Sequence, residues 1–213
     1  MTERSRVRTI YDRRAATYDR TVGFGERLLV GDLRRRFGAL LRGRTLEIGA
    51  GTGLNLPHYA PAVTQFVTVD LSSGMLRVLR NRATELKLPV SAAQMDAERL
   101  AFPDGSFDTV AVSLTLCTVE RPERALRELA RVCAPGGRVV LLEHVLSPVW
   151  PVSSLQRLFT PAQTRAIGCH FDRETIDLLR QEGFTVESEE RRRIGVVRLV
   201  VARPPAPGFP ASR

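Results

Sequence analysis

A short apolar run that breaks into three alternate glycines constrains this chain more than any other feature. The run spans residues 45–55, and the glycines are Gly49, Gly51 and Gly53. Glycine tolerates positive φ and lets a ligand lie against bare backbone, so the pattern predicts a strand that turns sharply beneath a bound nucleoside. The third glycine of a dinucleotide fingerprint is missing, and Glu47 precedes the loop, which disfavours a pyrophosphate. A cationic or zwitterionic ligand is therefore expected.

Acidic residues also close the next two apolar runs. Asp70 lies about 20 residues beyond the loop, the separation at which a carboxylate hydrogen-bonds ribose hydroxyls. Asp96 follows the third run and is expected to bind the adenine amino group. Leu71 and Met75 are expected to contact the purine. Together these residues predict a nucleoside pocket built by the ends of three strands.

Apolar and amphipathic runs alternate regularly from residue 44 onward. Strands are predicted near 44–49, 65–70, 90–95, 107–114 and 138–144, and helices near 55–60, 73–87 and 121–133. Such alternation favours a parallel sheet with helices on both faces and ligands at the carboxyl ends of the strands. The runs 184–188 and 196–202, separated by charged residues, predict a final antiparallel pair. The predicted fold class is α/β, a Rossmann-like doubly wound sheet, mostly parallel with a reversed final strand.

The two ends of the chain differ from this core. Residues 3–20 carry apolar residues at helical spacing on an arginine-rich background, which predicts a helix within a segment 1–22. This helix is expected to cover the site, to lie on a bilayer with its arginines facing lipid phosphate, or to pack as a solvated helix. The main domain is predicted over 23–203. The proline-rich residues 204–213 predict a disordered tail.

Charge and cysteine content limit the partners. The formal net charge is +9, yet Lys87 is the only lysine, and no interleaved aromatics or nucleic-acid module accompany the arginines. Nucleic acid is not expected as a partner, whereas contact with an anionic membrane surface is left open. Cys117, Cys133 and Cys169 lack paired or metal-type spacing, so a reduced cytoplasmic location is expected, with peripheral contact at the inner membrane face left open. We expect no metal, no signal peptide and no apolar run of about 18 residues.

The ordered set of motifs resembles the class I S-adenosylmethionine-dependent methyltransferases. These motifs are the residues 47–53, 70, 96–98, 102–108 and 134–137, within a stretch of roughly 8–203. Within that class, residues 11–19 resemble the amino-terminal helix of the quinone and phospholipid methyltransferases. Residues 114–119 and 142–145 resemble the membrane-associated thiol methyltransferases. The resemblance implies S-adenosyl-L-methionine as cofactor and a small apolar or lipid-like acceptor of thiol, phospholipid amine or quinone type.

The resemblance also implies which residues contact the cofactor. They are Tyr11, Tyr18, Glu47, Gly49, Ala50, Gly51, Gly53, Asn55, Asp70, Leu71, Met75, Asp96, Ala97, Glu98 and Ser113. In-line methyl transfer needs positioning, and a base only when the acceptor must lose a proton. His144, which follows an apolar run, is the candidate general base, with a structural histidine as the alternative.

Specificity for the acceptor is expected in the segment 145–170. Its prolines interrupt the alternation of strands and helices, and its high apolar content predicts either an apolar acceptor pocket or a buried lid helix. Cys117, Trp150 and His170 are the candidate acceptor contacts, although Cys117 and His170 also suit packing roles. An RNA or protein methyltransferase and a non-catalytic S-adenosylmethionine-binding protein are the competing functions. The acceptor atom and the oligomeric state are not predicted.

Overall fold

A computed structural model of the protein describes residues 2–206, except for the side chains of residues 24, 26 and 27. The helices in this range are α1 (Glu3–Arg14), α2 (Tyr18–Leu29), α3 (Leu33–Ala39), α4 (Ser73–Glu85), α5 (Pro122–Val132), α6 (Trp150–Ile167) and α7 (Thr175–Gln181). The strands are β1 (Gly43–Ile48), β2 (Val63–Asp70), β3 (Val90–Gln94), β4 (Phe107–Ser113), β5 (Cys133–His144), β6 (Thr185–Arg192) and β7 (Val197–Arg203). Short 3₁₀ turns occupy Leu56–His58 and Leu116–Thr118.

The strands form one sheet in the order β3-β2-β1-β4-β5-β7-β6. The strands β1 to β5 pair in parallel, whereas β7 runs antiparallel to both β5 and β6. The predicted fold class, with its reversed final strand, is therefore confirmed. The chain leaves β1 toward β2 on one side and returns to β4 on the other, so the strand order reverses at β1. Ligands of open α/β sheets bind at the carboxyl ends of the strands at such a point.

The central strands have continuous apolar sequences because helices cover both faces of the sheet. Along β4, Val110 packs into one core cluster and Ala111 into the other, as expected for side chains that alternate between faces. The second cluster includes Leu33 and Phe37 of α3, which have no exposed surface. Each such buried side chain stabilises the fold by about 1.5–3 kcal/mol. This packing holds the carboxyl edge of the sheet rigid.

The amino-terminal segment differs from the single helix predicted over 3–20. α1 ends at Arg14, residues 15–17 form a turn, and α2 begins at Tyr18. Gly23 and Gly25 lie inside α2. The turn allows Asp12 of α1 to accept hydrogen bonds from the Ser72 hydroxyl (2.7 Å) and the Gly74 amide (2.9 Å), at the start of α4. Tertiary contacts thus override the helical periodicity.

Two other predicted boundaries shift for physical reasons. The charged residues 189–192 belong to β6 rather than to a linker, because β6 is an edge strand, which accommodates charged side chains. The helix predicted near 55–60 is only a 3₁₀ turn that begins at Leu56.

Residues 204–206 follow β7 without regular secondary structure, and the rest of the predicted disordered tail lies outside the described residues.

Among residues 2–206, no helix is long and apolar enough to span a bilayer.

Candidate active site

A cavity opens at the carboxyl edge of the sheet, where the strand order reverses. It encloses about 980 Å³ of empty space when the open solvent at its mouth is included. Most of the predicted cofactor contacts line it, namely Tyr11, Tyr18, Gly49, Ala50, Gly51, Asn55, Asp70, Leu71, Met75, Asp96, Ala97, Glu98 and Ser113. The described residues that line it do not include Glu47 or Gly53.

The three glycines of the loop have different structural roles. Gly49 and Gly51 have φ values of +67° and +56°. A Cβ on Gly49 would come within 2.2 Å of the Thr115 side chain, so close packing requires glycine there. A Cβ on Gly51 would meet nothing within 4 Å, because this residue faces the open cavity. Gly53, with φ +80°, packs against Leu56 instead. Gly51 is thus the bare backbone that a ligand can approach.

Glu47 lies beneath the loop rather than on the cavity wall. Only 1% of its surface is exposed. Its carboxylate accepts hydrogen bonds from the side-chain amide of Asn55 and from the Tyr59 hydroxyl. Burial raises the pKa of Glu47 above its ordinary value. The acid therefore acts through Asn55, whose orientation it fixes and which does line the cavity.

Asp70 joins the end of β2 to the glycine loop. One carboxylate oxygen accepts from the Gly51 amide and the other from the Ser72 amide, each at 2.8 Å. Burial raises the pKa of Asp70 to about 6, although these hydrogen bonds oppose the shift. The carboxylate lines the cavity at the position that a ribose-binding acid requires.

The third acidic motif is tied to the amino-terminal helix. Arg4 forms ion pairs with Asp96 at 2.7 Å and with Glu98 at 3.2 Å. The sequence pattern does not reveal this role of Arg4, because its partners lie more than 90 residues away along the chain. The Asp96 carboxylate, expected to bind the adenine amino group, carries this ion pair in the structure. Arg4 thereby holds α1 against the third motif and closes one side of the cavity.

Two tyrosines of the amino-terminal segment complete that side. The rings of Tyr11 and Tyr18 line the cavity with centroids 6.0 Å apart. Burial raises the pKa of Tyr11 well above its ordinary value, so its hydroxyl stays protonated. The α1 segment is thus a wall of the cavity in this structure.

Arg34 is a further cavity residue that is not among those expected from the sequence. Its guanidinium donates to Asn55 Oδ1 at 2.5 Å and to Ser113 Oγ at 3.2 Å. A signal was present, since position 34 falls on the apolar stripe of residues 30, 33 and 37. A positive charge therefore stands beside the glycine loop.

The candidate general base lies behind the cavity wall. His144 Nε2 is 3.1 Å from Cys169 Sγ, and the imidazole packs edge-on against Phe171 with centroids 5.0 Å apart. Among the described residues, neither His144 nor Cys117 lines the cavity. The position of His144 therefore does not support the predicted role in proton transfer. The hydrogen bond with Cys169 and burial raise the pKa of Cys117 well above its ordinary value, which disfavours the nucleophilic thiolate form.

The other two candidate acceptor contacts also lie off the cavity. His170 pairs with Glu3 of α1 at 3.2 Å, which links the segment after α6 to the amino-terminal wall. Trp150, the first residue of α6, is 77% exposed, because the indole points away from the protein. The segment predicted as an acceptor pocket is therefore a helix whose apolar residues face outward.

Comparison with known proteins agrees with this geometry. A family model described as a methyltransferase domain matches residues 46–141. A phosphatidylethanolamine N-methyltransferase of Cereibacter sphaeroides is 39% identical over 132 residues, which cover 61% of this chain and 64% of that protein. A demethylmenaquinone methyltransferase of Streptomyces griseus subsp. griseus is 36% identical over 168 residues, which cover 76% of this chain and 69% of that protein.

A solved structure of an S-adenosylmethionine-dependent methyltransferase from Mesorhizobium loti has the same fold. It superposes with a TM-score of 0.62 at 22% identity, over 82% of this chain and 97% of that one. The chain spans about half to two thirds of the length of the curated relatives it matches, from 46% to 69%. Its cavity, motifs and relatives agree: the chain belongs to the class I S-adenosylmethionine-dependent methyltransferases, and its cofactor is S-adenosylmethionine.

Proposed function

We propose that the protein transfers the methyl group of S-adenosylmethionine to a small apolar or lipid-like acceptor of thiol, phospholipid amine or quinone type, at a membrane surface. Two relatives are named for phosphatidylethanolamine and demethylmenaquinone, both of which are lipids. The main support for the proposal is that α6 is amphipathic in the inverted sense: polar residues face the protein, and large apolar residues face outward.

The inward face of α6 is polar, and its outward face carries several large apolar side chains beside the exposed Ser154, Arg157 and Arg165. The buried residues of this helix are Ser153, Gln156 and Thr160. The exposed ones include Trp150 (77%), Leu158 (71%), Phe159 (56%) and Leu155 (55%). Isolated exposed apolar residues are ordinary, whereas a contiguous apolar face on one helix marks a contact surface. A lipid surface or a lipid acceptor would bury it.

The polar inward face is fully bonded, which shows that the orientation of α6 is specified. The Gln156 side chain accepts from the Ser147 amide at 2.8 Å and donates to the carbonyls of Val145 and Phe171, each at 2.9 Å. Rotating the helix to bury its leucines would break these three bonds and leave buried backbone groups unpaired, at about 1–3 kcal/mol each. The outward apolar face is therefore a stable feature of the fold.

An apolar groove lies along α6. Its lining includes Val152, Leu155, Phe159 and Phe171. Phe171 also packs against His144, and the 3₁₀ turn that carries Cys117 continues into the cavity residues Thr118 and Val119. An acyl or prenyl chain in this groove would lie close to the cofactor cavity.

S-Adenosylmethionine supplies an electrophilic methyl group, and the residues of the cavity supply positioning. Asp70 is suited to hold the ribose, and Arg34 the carboxylate of the methionine moiety. The α1 segment excludes water by closing the cavity through Arg4. Alignment of the reacting groups in this way can account for about 7–11 kcal/mol of a barrier.

The test compares acceptors that share a reacting group and differ in chain length, with liposomes present. The double variant Trp150→Ser with Leu158→Ser removes two exposed apolar groups, and Leu86→Ser, exposed at 41% away from α6, is the control. Burial of each apolar group in lipid is worth about 1.5–3 kcal/mol, so we expect transfer to the long-chain acceptor to fall at least tenfold in the double variant. Transfer to the short acceptor should be unchanged in both. Faster transfer to short acceptors by the wild type would contradict the proposal.

A further inference from the structure

Three side chains from distant parts of the chain meet behind the cavity wall. Cys117 belongs to the 3₁₀ turn after β4, His144 ends β5, and Cys169 follows α6. One ligand atom from each lies within 4.8 Å of the other two. The spacing of these residues in the sequence, 27 and 25 positions, resembles no known metal motif, which is why the sequence analysis expected no metal.

The distances in this cluster are close to those of a tetrahedral zinc site. With Zn–S bonds of about 2.3 Å and Zn–N bonds of about 2.0–2.1 Å, ligand atoms on adjacent vertices are about 3.5–3.8 Å apart. The ligand atoms here lie within 4.8 Å of one another, and Cys169 Sγ is 3.1 Å from His144 Nε2. Small rotations of the side chains would therefore bring all three onto one ion.

The backbone holds the cluster in place. The His170 amide donates to the Cys117 carbonyl at 2.9 Å, and the Thr164 hydroxyl donates to the Cys169 carbonyl at 3.2 Å. Gly168 ends α6 in the left-handed conformation with φ +72°, which turns the chain so that Cys169 points inward. A site held in this way needs little reorganisation to bind a ligand.

The two thiols of the cluster are buried and have only weak hydrogen-bond partners. Cys117 Sγ lies 3.7 Å from the Leu114 carbonyl oxygen, and Cys169 Sγ lies 3.1 Å from His144 Nε2. Thiols are weak donors and weak acceptors, so they compensate poorly for buried polar atoms. Thiolate and imidazole together form a donor set that favours zinc and related ions over calcium or magnesium.

We propose that Cys117, His144 and Cys169 form a binding site for a thiophilic divalent cation such as zinc. Binding would release the two thiol protons to solvent and form two metal–thiolate bonds and one metal–imidazole bond. Three protein ligands leave the fourth tetrahedral position to water or to another donor, as in zinc sites that take an exogenous ligand. The site is distinct from the cofactor cavity, because none of its three residues lines that cavity.

The test uses the full chain, purified under reducing conditions, stripped with a chelator and titrated with Co²⁺ and then Zn²⁺. We expect one equivalent of Co²⁺ to bind with thiolate-to-metal charge-transfer absorption and tetrahedral ligand-field bands, and Zn²⁺ to displace it. The variants Cys169→Ser and His144→Gln should each lower the affinity more than about 100-fold, because each removes a direct ligand. Cys133→Ser is the matched control, since Cys133 is also buried but begins β5 at the other end of that strand.

The absorption spectrum of the wild type with Co²⁺ tests the proposal even if a variant fails to fold. Absence of charge-transfer absorption in the reduced wild type at micromolar Co²⁺ would overturn the proposal. A Cys117–Cys169 disulfide in a chain whose reduced form binds no metal would overturn it too, and would identify the pair as redox-active. Equal loss of affinity in Cys133→Ser would also contradict it.

Discussion

Two regions meet at the carboxyl edge of this sheet, and they are built differently. The cofactor side uses bare backbone and short acidic side chains from residues 47–98, and it is an open cavity. The proposed acceptor side uses buried side chains from residues 117–171 and the helix α6, along which an apolar groove lies. The first region recognises a ligand that is the same throughout a large family, so local motifs suffice. The second depends on contacts between distant residues, which a protein can vary without altering cofactor binding.

The largest effect is expected at Asp70, the residue on which the cofactor side depends. Asp70→Ala would remove the acceptor of the ribose hydroxyls and release the Gly51 and Ser72 amides. We expect S-adenosylmethionine affinity to fall about 100-fold, close to 3 kcal/mol, as measured by calorimetry. Asp108→Ala is the control, because Asp108 also accepts from a backbone amide, that of Arg44, but at the opposite end of the strands. An equal loss in both variants would show a general effect on folding.

A substitution of Arg34 tests whether the cofactor side extends to α3. Arg34→Ala would remove the positive charge that suits the methionine carboxylate, and we expect affinity for S-adenosylmethionine to fall about 30-fold, or about 2 kcal/mol. Arg36→Ala is the matched control on the same helix, since Arg36 pairs with Glu190 on the surface at 2.6 Å. Binding of decarboxylated S-adenosylmethionine should be insensitive to Arg34→Ala. A similar loss for that analogue would contradict the assignment.

A substitution at Gly51 distinguishes the effect of backbone strain from the effect of lost contact with the ligand. Gly51→Ala and Gly136→Ala both place Ala at positive φ, +56° and +76°, with nothing within 4 Å of the new Cβ. Each should lose about 1–2 kcal/mol of stability in denaturant unfolding. Only Gly51→Ala should also weaken cofactor binding, by about tenfold, because only Gly51 lines the cavity. Unchanged binding in Gly51→Ala would mean that the ligand does not approach the loop.

The pH dependence of cofactor binding gives the smallest and most specific effect. The pKa of Asp70 is about 6 in the free protein, and hydrogen bonds from ribose hydroxyls favour the charged carboxylate and lower that pKa in the complex. Linkage then predicts affinity that is constant well above pH 6 and falls below it, by at most tenfold per pH unit. Asp70→Asn should abolish this dependence. A profile that survives in Asp70→Asn would assign the titration to another group.

Most of the cofactor contacts expected from the sequence line one cavity, because the signals that point to them are local. The spacing of the glycines identifies the loop, and acidic residues at strand ends identify Asp70 and Asp96. Each of these signals lies within a few residues of its strand. Arg4 and Arg34 were missed because arginine-rich helices usually face solvent, and only tertiary packing brings these two to the cavity.

The acceptor side could not be predicted in the same way. The expected roles of His144 and Trp150 followed from their position in the sequence, but the imidazole turns toward Cys169 and the indole toward solvent. The cluster that includes His144 exists only when three segments pack together. The inverted face of α6 depends on Gln156, whose partners belong to the flanking loops.

One measurement tests the central claim most directly: transfer of labelled methyl from S-adenosylmethionine to a panel of alkyl thiols, phosphatidylethanolamine in liposomes, demethylated quinones and bulk RNA. The account predicts label in at least one of the apolar acceptors, none in RNA, and loss of label with Asp70→Ala. Label in RNA alone would contradict the apolar acceptor site and assign the positive charge of the chain to nucleic-acid binding.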